Sequence, residues 1–285
     1  MDLQALPEGC IANILSLTTP HDACRLSLIS RTFYSSAQSD SVWERFLPSD
    51  LESIISDSHQ YSSLIASSPS KKALYLHLSD HPLLVDHARK SFQLDKRTGK
   101  KLYMIATRDL TIIWGDNSQY WDWTTLPESR FEEVAKLLAV CWFEIRGKIS
   151  TIILSPRTQY AVFLVFKVMD AQGFHYLPAE LTVGIVGGTS STRSVCLDPN
   201  LEERSLGRSF RGLERPKERS DGWLEIEMGY FFNLGLEDEV EMSVKETRSN
   251  WWKHGFLLQG IEVRPRDMTI WPDLDPPKRD GLFNV

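Results

Sequence analysis

Apolar residues near the start of the chain follow the spacing of short helices. Ile11, Ile14 and Leu15 recur three and four positions apart, which places them on one face of a helix. Trp43 lies in a further short helical segment, which Pro48 ends because proline cannot continue a helix. The pattern therefore predicts a helical module at this end of the chain.

Another helix is predicted between these two, beginning at Thr19. Thr19 can cap its first turn, Pro20 fits the first helical position, and Asp22 is a capping acid near the positive helix end. Leu26 and Phe33 then continue the apolar face of the same helix. The spacing thus predicts three helices up to residue 48.

The segment that follows carries weaker signals. Residues 49–70 are rich in Ser and Asp, with only a faint helical spacing of apolar positions. Residues 71–90 resemble one or two short helices. We therefore expect a partly helical connector over residues 49–90.

From about residue 91 the spacing of apolar positions changes towards two. Residues 160–169 are apolar on both faces, as in a central strand, and residues 239–247 alternate between apolar and polar side chains. Polar turns with Gly, Ser and Pro separate such segments, which is typical of an antiparallel sandwich. Further predicted strands cover residues 141–146, 181–186, 223–228 and 257–264.

One helix is expected to interrupt these strands. Ser129 and Glu132 have the spacing of a capping box, and Phe131, Val134 and Leu138 then lie on one apolar stripe. The chain is accordingly predicted to be of the α+β class. Its expected parts are a three-helix module, a connector, an antiparallel sandwich with one helix, and a tail, over residues 1–48, 49–90, 91–265 and 266–285.

Composition and charge exclude several classes of function. The net charge is −6 and lysines occur in pairs rather than long runs, so nucleic acid is not an expected partner. No apolar stretch approaches the length of a membrane span. The four cysteines are scattered without a metal-binding spacing, which favours reduced thiols in the cytoplasm or nucleus and neither a metal nor a cofactor.

The helical module resembles an F-box over nearly its whole length. The resemblance depends on the order and spacing of the residues Leu6-Pro7-Glu8, Ile14-Leu15, Pro20, Asp22, Leu28, Phe33 and Trp43. It implies docking onto a Skp-type adaptor and, through that adaptor, onto a cullin-based ubiquitin ligase. The adaptor contacts implied by the match are Leu6, Pro7, Ile14, Leu15, Leu28 and Trp43.

A physical argument favours the same partner. A helical unit of this size rarely closes its own core, yet the module carries large apolar residues on several helix faces. Such a surplus is expected where another chain completes the surface. The alternative is that these helices pack on the remainder of the chain as an ordinary subdomain.

Residues 91–265 resemble the phloem lectins related to tobacco agglutinin (Nictaba), in the form that plants fuse to an F-box. The matching segments span the domain: residues 100–104, 106–110, 113–116, 120–123, 129–135, 140–147, 154–158, 164–167, 221–225 and 260–265. The family implies a compact, jelly-roll-like lectin sandwich that binds glycans containing N-acetylglucosamine. Its sugar-site tryptophans match Trp114 and Trp121.

The sequence around these tryptophans suits a neutral sugar. Sugar rings stack on aromatic faces through their C–H groups, and their hydroxyls need polar partners. Asp116 and Asn117 lie in a turn between Trp114 and Trp121, and Trp123 follows on the same segment. These five residues form the predicted carbohydrate site, and the alternative is that the tryptophans belong to the core.

A second polar and aromatic surface is predicted on a later strand. Trp223, Glu225 and Glu227 alternate with apolar residues and therefore share one face. Paired carboxylates also raise a glycosidase reading, but solvated acids on a sheet face are common. No catalytic constellation is recognised, so the chain is expected to be a non-catalytic adaptor.

Three functions are thus in competition. The first is a substrate receptor of a Skp–cullin–F-box ligase that recognises a glycan or glycoprotein. The second keeps the F-box but makes the sandwich a module that binds a protein independently of sugar. The third is a glycan-processing enzyme that uses Glu225.

Overall fold

The computed structural model describes residues 6–56, 58, 64, 68–200 and 208–266. The described part contains six α-helices before the first strand, and the predicted tail over residues 266–285 lies outside it except for Arg266. The helices are α1 Glu8–Ser16, α2 Pro20–Leu26, α3 Arg31–Ser36, α4 Asp40–Phe46, α5 Leu51–Ile55 and α6 Lys71–Asp80.

The helical module contains one break between helices that was not predicted. The cap at Thr19 is confirmed, since its side chain accepts a hydrogen bond from the backbone of Asp22 at 3.1 Å. The second predicted helix, however, is two helices, because Ser30 caps α3 by accepting from the N–H of Phe33 at 3.3 Å. Four helices therefore stand where three were expected, and Leu26 and Phe33 lie on different ones.

Strands follow α6 almost to the end of the described chain. They are β1 Leu83–Val85, β2 Lys90–Leu94, β3 Lys101–Ala106, β4 Thr111–Ile112, β5 Trp121–Thr124, β6 Val134–Leu137, β7 Phe143–Ser150, β8 Thr158–Gln172, β9 Ala179–Ile185, β10 Ser190–Val195, β11 Lys217–Glu218, β12 Leu224–Asn233, β13 Glu239–Glu246 and β14 His254–Pro265. The α+β class and the mostly antiparallel two-sheet architecture are confirmed.

Two sheets face each other in the described residues. The larger runs in the order β1-β2-β3-β14-β8-β12-β11, and β6 joins β14 beside β3 while also pairing with β5. The smaller runs in the order β10-β9-β13-β7-β4. Strand β13 alternates as predicted, with Val240, Met242 and Val244 buried towards the core and Glu239 and Glu241 exposed.

Two predicted helical stretches are strands instead. Residues 134–137 form β6, whose Ala135 lies opposite Leu258 of β14, so tertiary pairing overrides the helical spacing there. The Ser129 hydroxyl closes a local turn by accepting from the N–H of Phe131 at 3.2 Å, and does not cap a helix. Residues 83–94 likewise pair as the β1–β2 hairpin, so the connector ends in the sheet.

The helical module packs against one end of the sandwich. Trp43 lies against Tyr75 of α6 with ring centroids 5.2 Å apart, and the Tyr75 hydroxyl donates to the carbonyl of Asp95 at 3.0 Å. Asp95 begins the β2–β3 turn, where Gly99 has a left-handed φ of +72°. A Cβ on Gly99 would lie 3.2 Å from the carbonyl oxygen of Phe46, so the turn sits close against α4.

Buried polar groups complete this junction. The Lys101 ammonium lies 2.6 Å from the carboxylate of Asp50, and the N–H of Lys101 donates to the Ser155 hydroxyl at 3.0 Å. The Tyr160 hydroxyl donates to the carbonyl of Lys101 at 3.1 Å. Burial raises the pKa of Tyr160 to about 12, so this hydroxyl keeps its proton and remains a donor at neutral pH.

The core is continuous through the junction. Trp43 and Tyr75 belong to the same cluster of buried side chains as Phe92 and Tyr103 of the sheet and Val240 of the facing sheet. The alternative raised from the sequence, in which the helices pack on the remainder of the chain, is therefore correct as far as packing goes. Because the core is shared, the helical module and the sandwich should unfold together.

Truncating Tyr75 tests this coupling. Tyr75→Ala should lower the free energy of unfolding by about 3 kcal/mol, the loss typical of a large buried aromatic, while keeping a single transition. Tyr34→Ala is the matched control, because Tyr34 is exposed on α3 and should change stability by less than about 0.5 kcal/mol. Calorimetry that resolved two separate transitions in the unmutated protein would contradict a shared core.

Candidate functional site

An aromatic groove lies at the end of the sandwich opposite the helices. Strand β14 runs from His254 beside this groove to Pro265 beside the junction, a length of roughly 35 Å at the usual rise per residue. The groove has a volume of about 410 Å³. Its lining residues are Ile113, Trp114, Tyr120, Val140, Cys141, Trp142 and Trp252.

Trp114 reaches the groove from a tight turn after β4. Its backbone has a φ of 64°, which is unusual for a bulky residue and turns the chain sharply. The next carbonyl, of Gly115, accepts a hydrogen bond from the indole N–H of Trp123 at 3.1 Å. The Arg108 guanidinium covers one face of the Trp123 ring, 3.5 Å from the ring centre. Trp123 therefore supports the turn that presents Trp114, whose side chain is 57% exposed.

Trp142 is held by a carboxylate. Its indole N–H donates to Glu144 at 2.9 Å, and the same carboxylate accepts from Arg146 at 2.8 Å. Burial alone would raise the pKa of Glu144, but these two donors and the nearby Lys245 ammonium lower the pKa below its ordinary value. Glu144 therefore stays ionised at neutral pH and fixes the edge of the Trp142 ring.

Tyr120 connects the two sides of the groove. Its ring centroid lies 6.0 Å from that of Trp114 and 6.5 Å from that of Trp252, with which it is stacked. These separations are within the range of favourable aromatic pairs. Three exposed or half-buried rings thus form a continuous aromatic surface across segments distant in sequence.

A polar hollow adjoins the groove on the other side of Trp114. It has a volume of about 550 Å³ and is lined by Ile112, Trp114, Gly115, Asp116, Asn117 and Ser118. The Asp116, Asn117 and Ser118 side chains are exposed there. The structure therefore brings together Trp114, Asp116 and Asn117 as the sequence predicted, and their binding role stays a prediction.

Trp121 cannot stack on a ligand, which corrects one predicted site residue. It is 2% exposed and lies against Phe143 with ring centroids 6.2 Å apart. Alternation along β5 turns Trp121 into the core while Asp122 faces solvent. Its buried indole N–H has no partner among the described residues. Trp123 is likewise a supporting residue beneath the turn, since its N–H and one ring face are already occupied.

The second predicted surface is contradicted at Trp223, whereas its two acids lie beside arginines. Trp223 is fully buried beneath the segment before β6 and donates to the carbonyl of Glu128 at 3.2 Å. Glu225 accepts from both Arg264, at 2.6 and 2.8 Å, and Arg219, at 2.9 Å. Glu227 lies 3.7 Å from each of two arginines, Arg193 and Arg266. Glu225 is thus engaged in an ion-pair network, and neither acid lines the groove.

The predicted adaptor contacts divide into buried and exposed residues. Leu15 and Trp43 are fully buried, and the Trp43 indole donates to the carbonyl of Ala37 at 2.7 Å, so both belong to the core. Leu6 is half-buried, whereas Pro7, Ile14 and Leu28 are exposed. Three further large side chains of the helical module are exposed but were not predicted as contacts, namely Leu17 at the end of α1, Ile29 in the α2–α3 connection and Tyr34 on α3.

Sequence reasoning also missed most of the groove. Trp142, Tyr120 and Trp252 were not among the predicted site residues. The Trp251-Trp252 pair just before a predicted strand was an available signal, because two adjacent tryptophans cannot easily both be buried. The groove itself depends on pairing between distant segments, which no local pattern shows.

Within the described residues, no group of His, Cys, Asp or Glu side chains has an arrangement that could hold a metal ion. None of the described helices has the length and apolar character needed to cross a membrane.

Comparison with known proteins finds one family match for the helical module and another for the sandwich. A phloem protein 2 family model matches residues 100–265, and an F-box-like family model matches residues 3–49. The F-box protein PP2-B10 of Arabidopsis thaliana is 47% identical over 265 residues, covering 92% of this chain and 93% of that protein. The putative F-box protein PP2-B12 of the same plant is 45% identical over 271 residues, covering 94% of this chain and 100% of that protein.

Proposed function

The chain belongs to the family of F-box proteins that carry a phloem protein 2 domain, and on this premise we propose that it is a substrate-recognition adaptor of a Skp–cullin–F-box ubiquitin ligase. The helices dock onto a Skp-type adaptor, which links to the cullin. The aromatic groove binds a glycan or glycoprotein containing N-acetylglucosamine. The protein itself is non-catalytic and works in the cytoplasm and nucleus.

Exposed apolar side chains support the docking role of the helices. Although the core continues into the sandwich, Leu17, Leu28 and Ile29 remain largely exposed, with Leu28 at 84%. Large apolar side chains left open on a folded helical module favour a surface completed by another protein. In addition, Pro7 and Ile14, two of the contacts implied by the F-box resemblance, are exposed and available.

The groove is the single observation that carries the recognition half of the proposal. Trp114, Trp142 and Trp252 each expose about half of their side chain around one concavity. Such indole faces can stack on the C–H faces of a sugar ring. The adjoining hollow supplies the carboxylate of Asp116 and the amide of Asn117, which can bond sugar hydroxyls and an acetamido group.

The second candidate function is binding of a protein target independently of sugar. The part of the groove away from the hollow is lined almost wholly by apolar side chains, and Trp and Tyr are the residues that dominate protein interfaces. In that case the rings would hold an apolar side chain of the target. The two candidates use the same groove and differ in whether Asp116 and Asn117 matter.

The position of the two surfaces bears on ligase function. The helices and the groove lie at opposite ends of β14, so a bound target is held away from the docking face. A target and a Skp-type adaptor can then be bound together without competing for space. The shared core keeps the spacing between them fixed.

Adaptor docking is tested with the exposed leucine of the α2–α3 connection. Leu28→Asp should weaken binding of the full-length protein to a purified Skp-type adaptor by about tenfold or more, because a charge would enter an apolar interface. Met169→Asp is the matched control, since Met169 is 58% exposed on β8 and lies at the groove end. Equal affinities for the two variants in biolayer interferometry would argue against docking through this surface.

Ligand binding is tested with two adjacent tryptophans of equal exposure. Trp252 lines the groove, whereas Trp251 is stacked on Tyr176 at 4.3 Å outside it, and both are 56% exposed. Trp252→Ala should abolish measurable binding of chitotriose by calorimetry, starting from an affinity on the order of millimolar to micromolar. Trp251→Ala should leave binding within about twofold.

Two outcomes would redirect the assignment. If no N-acetylglucosamine ligand binds but Trp252→Ala abolishes capture of a protein target, the groove is a protein-binding site and not a sugar-binding site. If sugar binds equally well to both tryptophan variants, the groove is not the lectin site.

A further inference from the structure

A buried lysine joins the two chain segments that form one side of the groove. Residues 140–142 supply Val140, Cys141 and Trp142, while Trp252 comes from the segment that precedes β14. The two segments meet at a single isolated bridge, in which Val140 and Lys253 exchange backbone hydrogen bonds of 2.7 and 3.0 Å. Lys253 is thus adjacent in sequence to one groove tryptophan and paired with the segment that carries another.

The side chain of Lys253 makes a second connection between the same segments. It is 0% exposed, and its ammonium donates to the carbonyl of Cys141 at 2.7 Å. It also donates to the carbonyl of Trp251 at 3.2 Å and to the hydroxyl of Ser249 at 3.1 Å. The ammonium therefore binds the backbone of both segments, at Cys141 and at Trp251.

The charge of the ammonium is balanced inside the protein. Lys253 forms an ion pair with the carboxylate of Glu246, which is also buried. Glu246 accepts in turn from the Ser249 hydroxyl at 2.5 Å and from the N–H of Ser249 at 3.0 Å. A lysine is almost never fully buried without such pairing, and the desolvation cost is high. The three protons of the ammonium thus face four acceptors, namely the Glu246 carboxylate, the Ser249 hydroxyl and the carbonyls of Cys141 and Trp251, so at least one proton is shared.

We propose that Lys253 is a positioning residue for the aromatic groove, which holds Trp142 and Trp252 at the spacing a ligand requires. Its action is through the backbone of Cys141 and Trp251, not through contact with the ligand. This inference rests on the proposed recognition function of the groove. It adds a residue that no ring contact or surface exposure would identify.

Local backbone geometry supports the need for such an anchor. The segment around Gly173 packs against the same turn so closely that a Cβ on Gly173 would lie 2.3 Å from the carbonyl oxygen of Trp252. The turn therefore has a backbone neighbour on one side and the open groove on the other. Without the ammonium, the carbonyls of Cys141 and Trp251 would lose their shared donor, and the side-chain link between the two segments would be lost with it.

The test uses the full-length protein and the variant Lys253→Met, which keeps most of the side-chain volume. Chitotriose binding should fall by about tenfold or more, a factor equivalent to about 1.4 kcal/mol. Lys101→Met is the matched control, because Lys101 is a buried, ion-paired lysine at the opposite end of the sandwich. It should lower the melting temperature while leaving chitotriose affinity within about twofold.

A second readout does not depend on any ligand. Cys141 is an exposed thiol in the groove, Cys196 is buried, and the exposed Cys10 and Cys24 can be replaced by serine. In that background, Lys253→Met should change the rate of Cys141 modification by a disulfide reagent several-fold at a temperature where the protein stays folded. Lys101→Met should leave the rate unchanged.

The outcomes separate this inference from the proposed function. If the unmutated protein fails to bind chitotriose, the sugar assignment falls, and the Cys141 rate alone decides the role of Lys253. Should Lys253→Met fail to fold, Ser249→Ala removes one acceptor of the ammonium and is expected to alter the Cys141 rate about twofold. An unchanged rate of Cys141 modification in a folded Lys253→Met protein would overturn the proposal. The same holds for an unchanged rate in Ser249→Ala, where that variant is needed. Unchanged chitotriose affinity in Lys253→Met would also overturn it.

Discussion

The packing of the helical module onto the β2–β3 turn is the constraint on which the remaining arrangement depends. Trp43 and Tyr75 continue the sandwich core into the helices, and the pair of Lys101 with Asp50 fixes the polar margin of the contact. A shared core removes the freedom that a flexible linker would give. The exposed face of the helices and the groove therefore have a defined separation, set by the length of β14.

The groove shows how a rigid sandwich holds exposed aromatic side chains in place. Each wall has its own polar anchor below the surface: Trp123 for the turn of Trp114, Glu144 for Trp142, and Lys253 for the turn before β14. Binding of a small ligand at a shallow site depends on such preorganisation, because few contacts are available to offset the ordering of loose side chains. The residues that hold the rings are thus as much a part of the site as the rings.

The sequence predicted the class of fold and six of the fourteen described strands, because the spacing of apolar positions along a strand is a local pattern. It failed over residues 134–137, where a helical spacing was overridden by pairing with β14, and at Ser30, whose cap divides one expected helix into two. Site prediction was less complete for the same reason. Trp114 was identified from the family resemblance, with the turn after it as support, but whether Trp121 points into the core and whether Trp252 reaches the groove depend on strand register and on distant segments.

The central claim is that the docking helices and the groove belong to one rigid body. Double electron–electron resonance between spin labels on Cys24 of α2 and Cys141 of the groove, both exposed, tests it directly in a Cys10→Ser background. A single narrow distance distribution, on the order of 35 Å or longer, is the predicted result. A broad or two-peaked distribution would contradict a shared core and a fixed spacing between the helices and the groove.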